Sequence, residues 1–227
     1  MAGRIMALGP AHLAKVARKV DRVAYRSPFT KLTRADREAV ADRLVADLAG
    51  GPFWVFAYGS LIWKPEFEHV EERRGRVHGW RRSFCLGIED WRATPDQPGL
   101  MLALERGGSC TGVAYRMPDD NAKDRILRLL DREIDFHEAV PWLRWVTVRC
   151  ARGPLRALAF YCAPVGDPTV ERLSPEDQAW RLARAVGYVG SCAEYLFNTV
   201  SHLEALGIRD RYLWELQARV AAEIDRL

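Results

Sequence analysis

The sequence predicts an α+β protein with a helical N-terminal arm, a small mixed β body with a barrel-like interior, and a helical C-terminal tail. Three observations carry this. Phe53-Trp54-Val55-Phe56-Ala57 is a charge-free run directly after the breaker Gly50-Gly51-Pro52, and its aromatic and β-branched content suits a buried strand. Six further short runs between 75 and 162 alternate only partially, as strands around one packed barrel interior do. After Asp167-Pro168 the pattern turns helical to the end of the sequence. The 227 residues are 48% hydrophobic and 28% charged, an ordinary globular mix that excludes general disorder.

In chain order, the first 50 residues read as helical. Thr33 can cap a helix from Arg34, with Asp36 near its positive end, and Gly50-Gly51 stops it. Ala35, Val40, Leu44 and Leu48 form a rough apolar stripe on that helix, so it should pack on something. The expected strands after 53–57 are Gly75–Val77, Arg81–Leu86, Leu100–Glu105, Gly112–Arg116, Arg144–Cys150 and Leu155–Cys162. A helix started by Asp119 or Asp120 should run through Ile126, Leu129 and Leu130 and end near Glu133. Ser174-Pro175-Glu176-Asp177 supplies a cap, a proline at the first helical position and early negative charge. Helices are then expected over 175–186, 191–206 and 209–226. The domain reading is a helical basic extension, 1–51, followed by a catalytic domain, 52–227.

Ten Lys or Arg oppose five acids in residues 1–50, a segment charge of +5 that leaves −1 for the rest of a chain whose total is +4. A basic arm can meet nucleic acid, an anionic membrane or an acidic partner. These basic residues are dispersed and carry little aromatic interleaving, which favours a solvated helix face and no nucleic-acid partner. An Arg-rich presequence is the third reading. Met1 to Val20 interrupts its apolar stretches with Arg4, Gly9, Pro10, His12 and Lys15, unlike a secretory signal. No apolar run approaches the roughly 18–20 residues that span a bilayer, so no membrane association is expected. Cys85, Cys110, Cys150, Cys162 and Cys192 are odd in number and lack CxxC spacing. They point to structural thiols in a reducing, cytoplasmic setting rather than zinc or a redox dithiol.

Two places can carry chemistry. Tyr58-Gly59-Ser60-Leu61 follows the first strand. Glycine there permits close backbone approach to a ligand, successive N–H groups can form an anion site, and Tyr58 and Ser60 add hydroxyls. A plain strand-ending turn explains the same residues. Glu133 falls at the negative pole of its helix, where its pKa should rise toward general-base territory, more so if it is desolvated. The alternative is a surface acid paired with Arg132 or Lys123. Asp135, His137 and Glu138 match no strong metal spacing, and no metal is expected.

The run Trp54-Val55-Phe56-Ala57-Tyr58-Gly59-Ser60-Leu61-Ile62-Trp63 resembles the opening signature of the ChaC family of glutathione-specific γ-glutamylcyclotransferases. The resemblance continues in order through Gly79–Leu86, Gln97-Pro98-Gly99 with Met101–Leu104, Gly112–Arg116, Arg132-Glu133 and Glu194-Tyr195-Leu196-Phe197. It covers about residues 53–207, and the first 50 residues resemble the variable extension of bacterial members. Leu100 stands where an arginine commonly follows Pro-Gly, and Cys192 where an asparagine often precedes the Tyr-Leu-Phe segment. The resemblance implies a γ-glutamylcyclotransferase-like fold, a small β-barrel flanked by helices. It also implies conversion of glutathione to 5-oxoproline and Cys-Gly, with Glu133 in the catalytic-glutamate position.

That reaction needs no cofactor. The glutamyl α-amine attacks its own γ-carbonyl, Glu133 takes the ammonium proton, and backbone N–H groups of Tyr58 to Leu61 hold a carboxylate or the developing oxyanion. Tyr115, Tyr161 and Tyr195 are candidate hydroxyl donors, with Tyr115 first because it lies in a matched motif. Alternative readings are a cyclotransferase for other γ-glutamyl peptides or amines and a non-catalytic regulatory or binding protein. The sequence sets no oligomeric state.

Overall fold

The computed structural model describes residues 4–22 and 27–227, and the parts of the expected helical arm at 1–3 and 23–26 lie outside the described residues. The elements are α1 (Pro10–Val16), α2 (Arg34–Leu48), β1 (Trp54–Ala57), α3 (Ser60–Trp63), β2 (Glu71–Ile88), β3 (Gly99–Arg116) and α4 (Ala122–Glu133). They continue with a 3-10 turn (His137–Trp142), β4 (Arg144–Cys150), β5 (Gly153–Ala159), α5 (Pro175–Arg184), β6 (Val186–Gly187), β7 (Gly190–Ser191), α6 (Cys192–Ala205) and α7 (Arg211–Asp225).

Five strands close a barrel in the order β1-β3-β2-β4-β5. β1 runs antiparallel to β3, from Trp54 opposite Arg116 to Ala57 opposite Val113. β4 and β5 form a hairpin from Arg144 opposite Ala159 to Cys150 opposite Gly153. The parallel contact of Val55 with Leu158 closes the circle. All four residues of β1 are buried, and Phe56, Ala114 and Leu158 are sealed from solvent, so the charge-free run at 53–57 is what a central strand requires. Gly112 lets β3 pass this strand closely, since a Cβ there would sit 2.3 Å from the Ala57 carbonyl oxygen and 2.8 Å from the Phe56 ring.

The chain divides into two compact units. One comprises Ser27–Arg81 and Leu104–Val165 and contains α2, β1, α3, α4, β4 and β5. Within it α2 begins at Thr33, whose hydroxyl accepts from the Asp36 N–H while the Asp36 carboxylate accepts from the Thr33 N–H, a reciprocal cap. The other unit gathers described residues of 1–26 with Arg82–Ala103 and Gly166–Leu227. There α5, α6 and α7 begin at Ser174, Ser191 and Asp210, each accepting a backbone N–H. Leu182, Leu196, Val200, Leu213, Leu216 and Val220 form its apolar interior.

Several expectations need correction. The two strands expected at 75–77 and 81–86 are one strand, β2, and those at 100–105 and 112–116 are one strand, β3. Gly79, Gly107 and Gly108, all at positive φ, bend these strands without ending them, as glycine bulges do. β5 stops at Ala159 rather than Cys162 because Tyr161 turns left-handed, with φ 51°. Residues 17–22 and 27–33 are not helical. Pro28 disfavours helix at Ser27, and Lys31 instead bridges Phe136 in antiparallel fashion. The buried face of α2 holds Arg37, Ala41 and Leu44, with Val40 and Leu48 half-buried, while Ala35 is exposed. All five cysteines are free thiols, four of them buried and Cys150 half-buried.

Gly112→Ala drives a Cβ into β1's backbone, which has no flexible end to yield. The expected loss is roughly 1–3 kcal/mol of unfolding free energy, in the range of core overpacking, and urea denaturation of variant and parent measures it.

Candidate active site

The candidate site lies within the unit formed by Ser27–Arg81 and Leu104–Val165. β1 delivers the chain to Tyr58, which is buried, and Gly59 then takes φ −136° and ψ −126°, neither helical nor extended, as the residue before α3. The bend is held by the Ile62 N–H on the Gly59 carbonyl (2.9 Å) and the Lys64 N–H on the Ser60 carbonyl (2.8 Å). The leading N–H groups of a helix, here those of Ser60 and Leu61, have no acceptor within the helix. Leu61 is buried and Ser60 half-buried. The Tyr58 hydroxyl donates to the Phe160 carbonyl at 2.9 Å and reaches the Tyr161 carbonyl at 3.4 Å. Its proton is therefore committed to the protein, and Tyr58 acts as a strut for the bend.

Glu133 is the last residue of α4, where the sequence placed the helix end. Its side chain is only 12% exposed and accepts an ion pair from Arg132, Nε to Oε1 at 2.9 Å. Burial pushes the carboxyl above the usual glutamate range, Arg132 pulls it back down, and the Glu66 carboxylate adds to the rise. Both sequence readings thus hold a part: the acid does pair with Arg132, but inside the protein. Lys123 pairs with Asp42 instead, at 2.5 Å.

Two bridges join the bend to the acid. The Tyr161 hydroxyl donates to the Glu133 main-chain carbonyl, while the Tyr161 carbonyl faces the Tyr58 hydroxyl. From the far end of α3, the Arg132 guanidinium donates to the Pro65 carbonyl and lies 3.3 Å from the Glu66 carboxylate. Residues 58 to 66 are therefore pinned at both ends to groups beside Glu133. The sequence reading named Tyr161 as a candidate hydroxyl donor and Arg132 as a partner of Glu133, but not their role as connectors between the bend and the acid. The one local clue was the adjacency of Arg132 to Glu133.

The other expected residues are placed differently. Tyr115 is buried with its ring against His69 (4.7 Å between centroids) and Phe67 (5.7 Å). Burial and the Glu72 charge raise its pKa. Tyr195 belongs to the second unit, where its ring meets Phe84 at 6.0 Å and the Arg92 guanidinium at 5.7 Å. Leu100 and Cys192, the two departures from the family pattern, are fully buried in that same unit. The Leu100 backbone hydrogen-bonds the Cys192 thiol, and burial pushes that thiol up to about 11. Asp135 and His137 are engaged by Arg37 and Asp36, and Glu138 accepts the Thr30 N–H. Among the described residues no group of three histidine, cysteine or acidic side chains is arranged to hold a metal.

Comparison with known proteins gives a consistent picture. A family model described as ChaC-like protein matches residues 53–223. A glutathione-specific gamma-glutamylcyclotransferase of Escherichia coli (strain K12) is 36% identical over 171 residues, 75% of this chain and 73% of that protein. Gamma-glutamylcyclotransferase 2-3 of Arabidopsis thaliana is 35% identical over 175 residues, 74% of this chain and 87% of that protein. Among solved structures, a gamma-glutamyl cyclotransferase specific to glutathione from yeast superposes with a TM-score of 0.65 at 21% identity. It covers 76% of this chain and 96% of its own, so the two share a fold.

Arg132→Met removes the cation that pulls the Glu133 carboxyl down. Its midpoint, followed by carbon NMR of labelled glutamate, is expected to rise further above the parent value. A midpoint that stays or falls would show that burial, not Arg132, sets the whole balance.

Proposed function

Because this chain belongs to the ChaC-like protein family, we propose that it is a γ-glutamylcyclotransferase that opens glutathione to 5-oxoproline and Cys-Gly, with Glu133 as the general base. The observation that carries this reading is a buried carboxylate with a raised pKa, tied through Tyr161 to the glycine bend that follows β1. The curated relatives' names supply the substrate.

In this mechanism the bound γ-glutamyl unit folds so that its α-nitrogen faces its own γ-carbonyl carbon. Nucleophile and electrophile then belong to one molecule, and positioning supplies much of the acceleration. Glu133 accepts a proton from the α-ammonium. The amine forms the ring C–N bond, Glu133 passes its proton to the Cys-Gly nitrogen as the γ-amide C–N bond breaks, and the ring nitrogen gives its remaining extra proton to the released amine, which leaves as an ammonium. No water is consumed and no cofactor is needed. The carboxyl oxygen Oε2 makes the exchange, because Oε1 faces Arg132. Backbone N–H groups of Tyr58 to Leu61 hold the substrate's carboxylate or the developing oxyanion. A base with a raised pKa suits the step, since a stronger base takes an ammonium proton more readily.

Glu133→Gln keeps the shape of the side chain and removes its basicity. The expected result is a folded protein whose 5-oxoproline release from glutathione falls about 10²–10⁴-fold, the usual worth of a general base. The same variant has a second readout. A carboxyl whose folded pKa is raised favours folding below its unfolded pKa and loses that contribution as pH rises through the folded value. Above the folded value the parent carries a charged carboxylate that burial disfavours, and there Glu133→Gln should melt at the same temperature or higher. Near-parental turnover would remove the mechanism.

Ser60→Ala should raise KM for glutathione several-fold with kcat little changed. Unaltered steady-state kinetics would reduce Ser60 to a turn residue. Running γ-glutamyl-alanine beside glutathione in the same assay separates the two substrate classes.

A further inference from the structure

Residues 27–48 lie outside the stretch that the family model matches, which begins at residue 53, yet they close around the segment that carries Glu133. α2 packs on α4, and Arg37, Ala41, Leu44 and Leu48 are among its buried or half-buried positions. Their spacing of four, three and four residues is the spacing of one helix stripe. An arginine on a buried stripe needs acceptors, because an unpaired buried charge is costly. Arg37 is 14% exposed, and its partners all lie close in the chain to Glu133 or to the entry of α2.

The Arg37 Nε is 3.1 Å from the Asp131 carboxylate, an ion pair whose alignment falls short of a hydrogen bond. Another of its nitrogens donates to the Ile134 carbonyl at 3.2 Å and to the Asp135 carboxylate at 3.3 Å. The third donates to the Leu32 carbonyl at 2.7 Å. Arg37 therefore holds the chain before Glu133, at 131, and after it, at 134 and 135. The strand-like approach to α2 reinforces the grip. The Leu32 N–H donates to the Asp135 carbonyl at 2.9 Å and the His137 N–H to the Thr30 carbonyl at 2.9 Å. Lys31 bridges Phe136, and the Phe29 and Phe136 rings lie 5.7 Å apart.

We propose that Arg37 is a positioning residue of this enzyme, supplied from outside the family's matched domain, which fixes the end of α4 so that the Glu133 carboxylate meets the substrate amine. The proposal rests on the cyclotransferase reading above. Its physical basis is threefold. Carbonyls at a helix C-terminus lack partners within the helix, and Arg37 reaches the one at Ile134. The guanidinium fork holds several acceptors in one plane, which a lysine ammonium cannot reproduce. Displacing a reacting group by about 1 Å costs on the order of 10²-fold in rate, so a modest loosening of this segment should be visible in turnover.

Arg37 acts on place rather than on charge. The charged groups that face it are Asp131 and Asp135, with the Asp36–His137 pair beside them. The groups that act on the Glu133 carboxyl are Arg132 and Glu66. Loss of Arg37 should therefore lower kcat and leave the acid limb of the pH–rate profile where it is, while loss of Arg132 moves that limb.

The test uses the full chain as parent, Arg37→Ala, Arg37→Lys and, as a control on the same helix, Arg34→Ala, whose exposed side chain pairs with Glu38. Turnover of glutathione is measured beside amide hydrogen exchange across 131–138. The expected outcome for Arg37→Ala is a kcat about tenfold lower or less, a KM within about twofold of the parent, and faster exchange at 134–138. Arg37→Lys should recover only part of the rate, and Arg34→Ala should match the parent. Should Arg37→Ala fail to fold, Asp135→Asn takes its place, removing one acceptor with a smaller effect in the same direction. An unchanged kcat, a change confined to KM, or unchanged exchange would each overturn the proposal. If the parent itself releases no 5-oxoproline, the functional reading fails on its own, and exchange alone decides whether Arg37 orders the segment.

Discussion

The arrangement of the candidate site depends on one corner of chain. At Tyr161 the backbone turns left-handed, a conformation that a bulky residue adopts only when its surroundings demand it. The turn ends β5 and sends the Tyr161 hydroxyl to the Glu133 carbonyl, while the Tyr58 hydroxyl meets the carbonyls of Phe160 and Tyr161. The same Tyr161 carbonyl accepts the Leu104 N–H at 2.8 Å, and the Cys162 N–H donates to Trp142 at 2.8 Å. A barrel strand, the bend after β1 and the end of α4 thus share one anchoring residue. An extended backbone at 161 would separate these groups, so the strain there is offset by the contacts it permits.

Around that corner the electrostatics are a balance of two opposed demands. A base must be strong enough to take a proton from an ammonium, which burial provides by disfavouring the charged carboxylate. It must also be able to ionise, and the Arg132 guanidinium works in that direction, pulling the carboxyl back down. Arg132 is itself fixed by the Pro65 carbonyl and by Glu66, and Glu66 dilutes its pull on Glu133. The direction of the result, a pKa above the usual glutamate range, means that burial outweighs the cation.

What the sequence revealed was local, and for a physical reason. The Thr33 cap, the end of α4 at Glu133 and the cap at Ser174 are each written in neighbouring residues, because they are made by bonds across three or four positions. β2 and β3 were read as broken because Gly79 and Gly107-Gly108 look like turns when sheet partners are unknown. The links that assemble the site were not legible. Tyr161 and Arg37 act on backbone carbonyls far away in sequence, and a carbonyl is present at every residue, so no residue type marks the acceptor. Arg37 was counted among dispersed surface charges for the same reason. Only the fold shows that it lies on the buried stripe of α2.

The thiols bear on the same chemistry. A cyclotransferase for glutathione works beside a thiol substrate and its disulfide, and disulfide exchange proceeds through the thiolate. Burial pushes Cys162 up to about 12 and Cys192 up to about 11, and it also raises Cys150. These groups remain protonated at neutral pH, and Cys85 and Cys110 are shielded by the protein around them. The fold therefore keeps its own sulfur out of exchange with the proposed substrate and leaves a carboxylate as the group that, in the proposed mechanism, accepts and returns a proton. That division follows from one property of the interior. The same low polarity that silences a thiol, by favouring its neutral form, makes a carboxylate a better base.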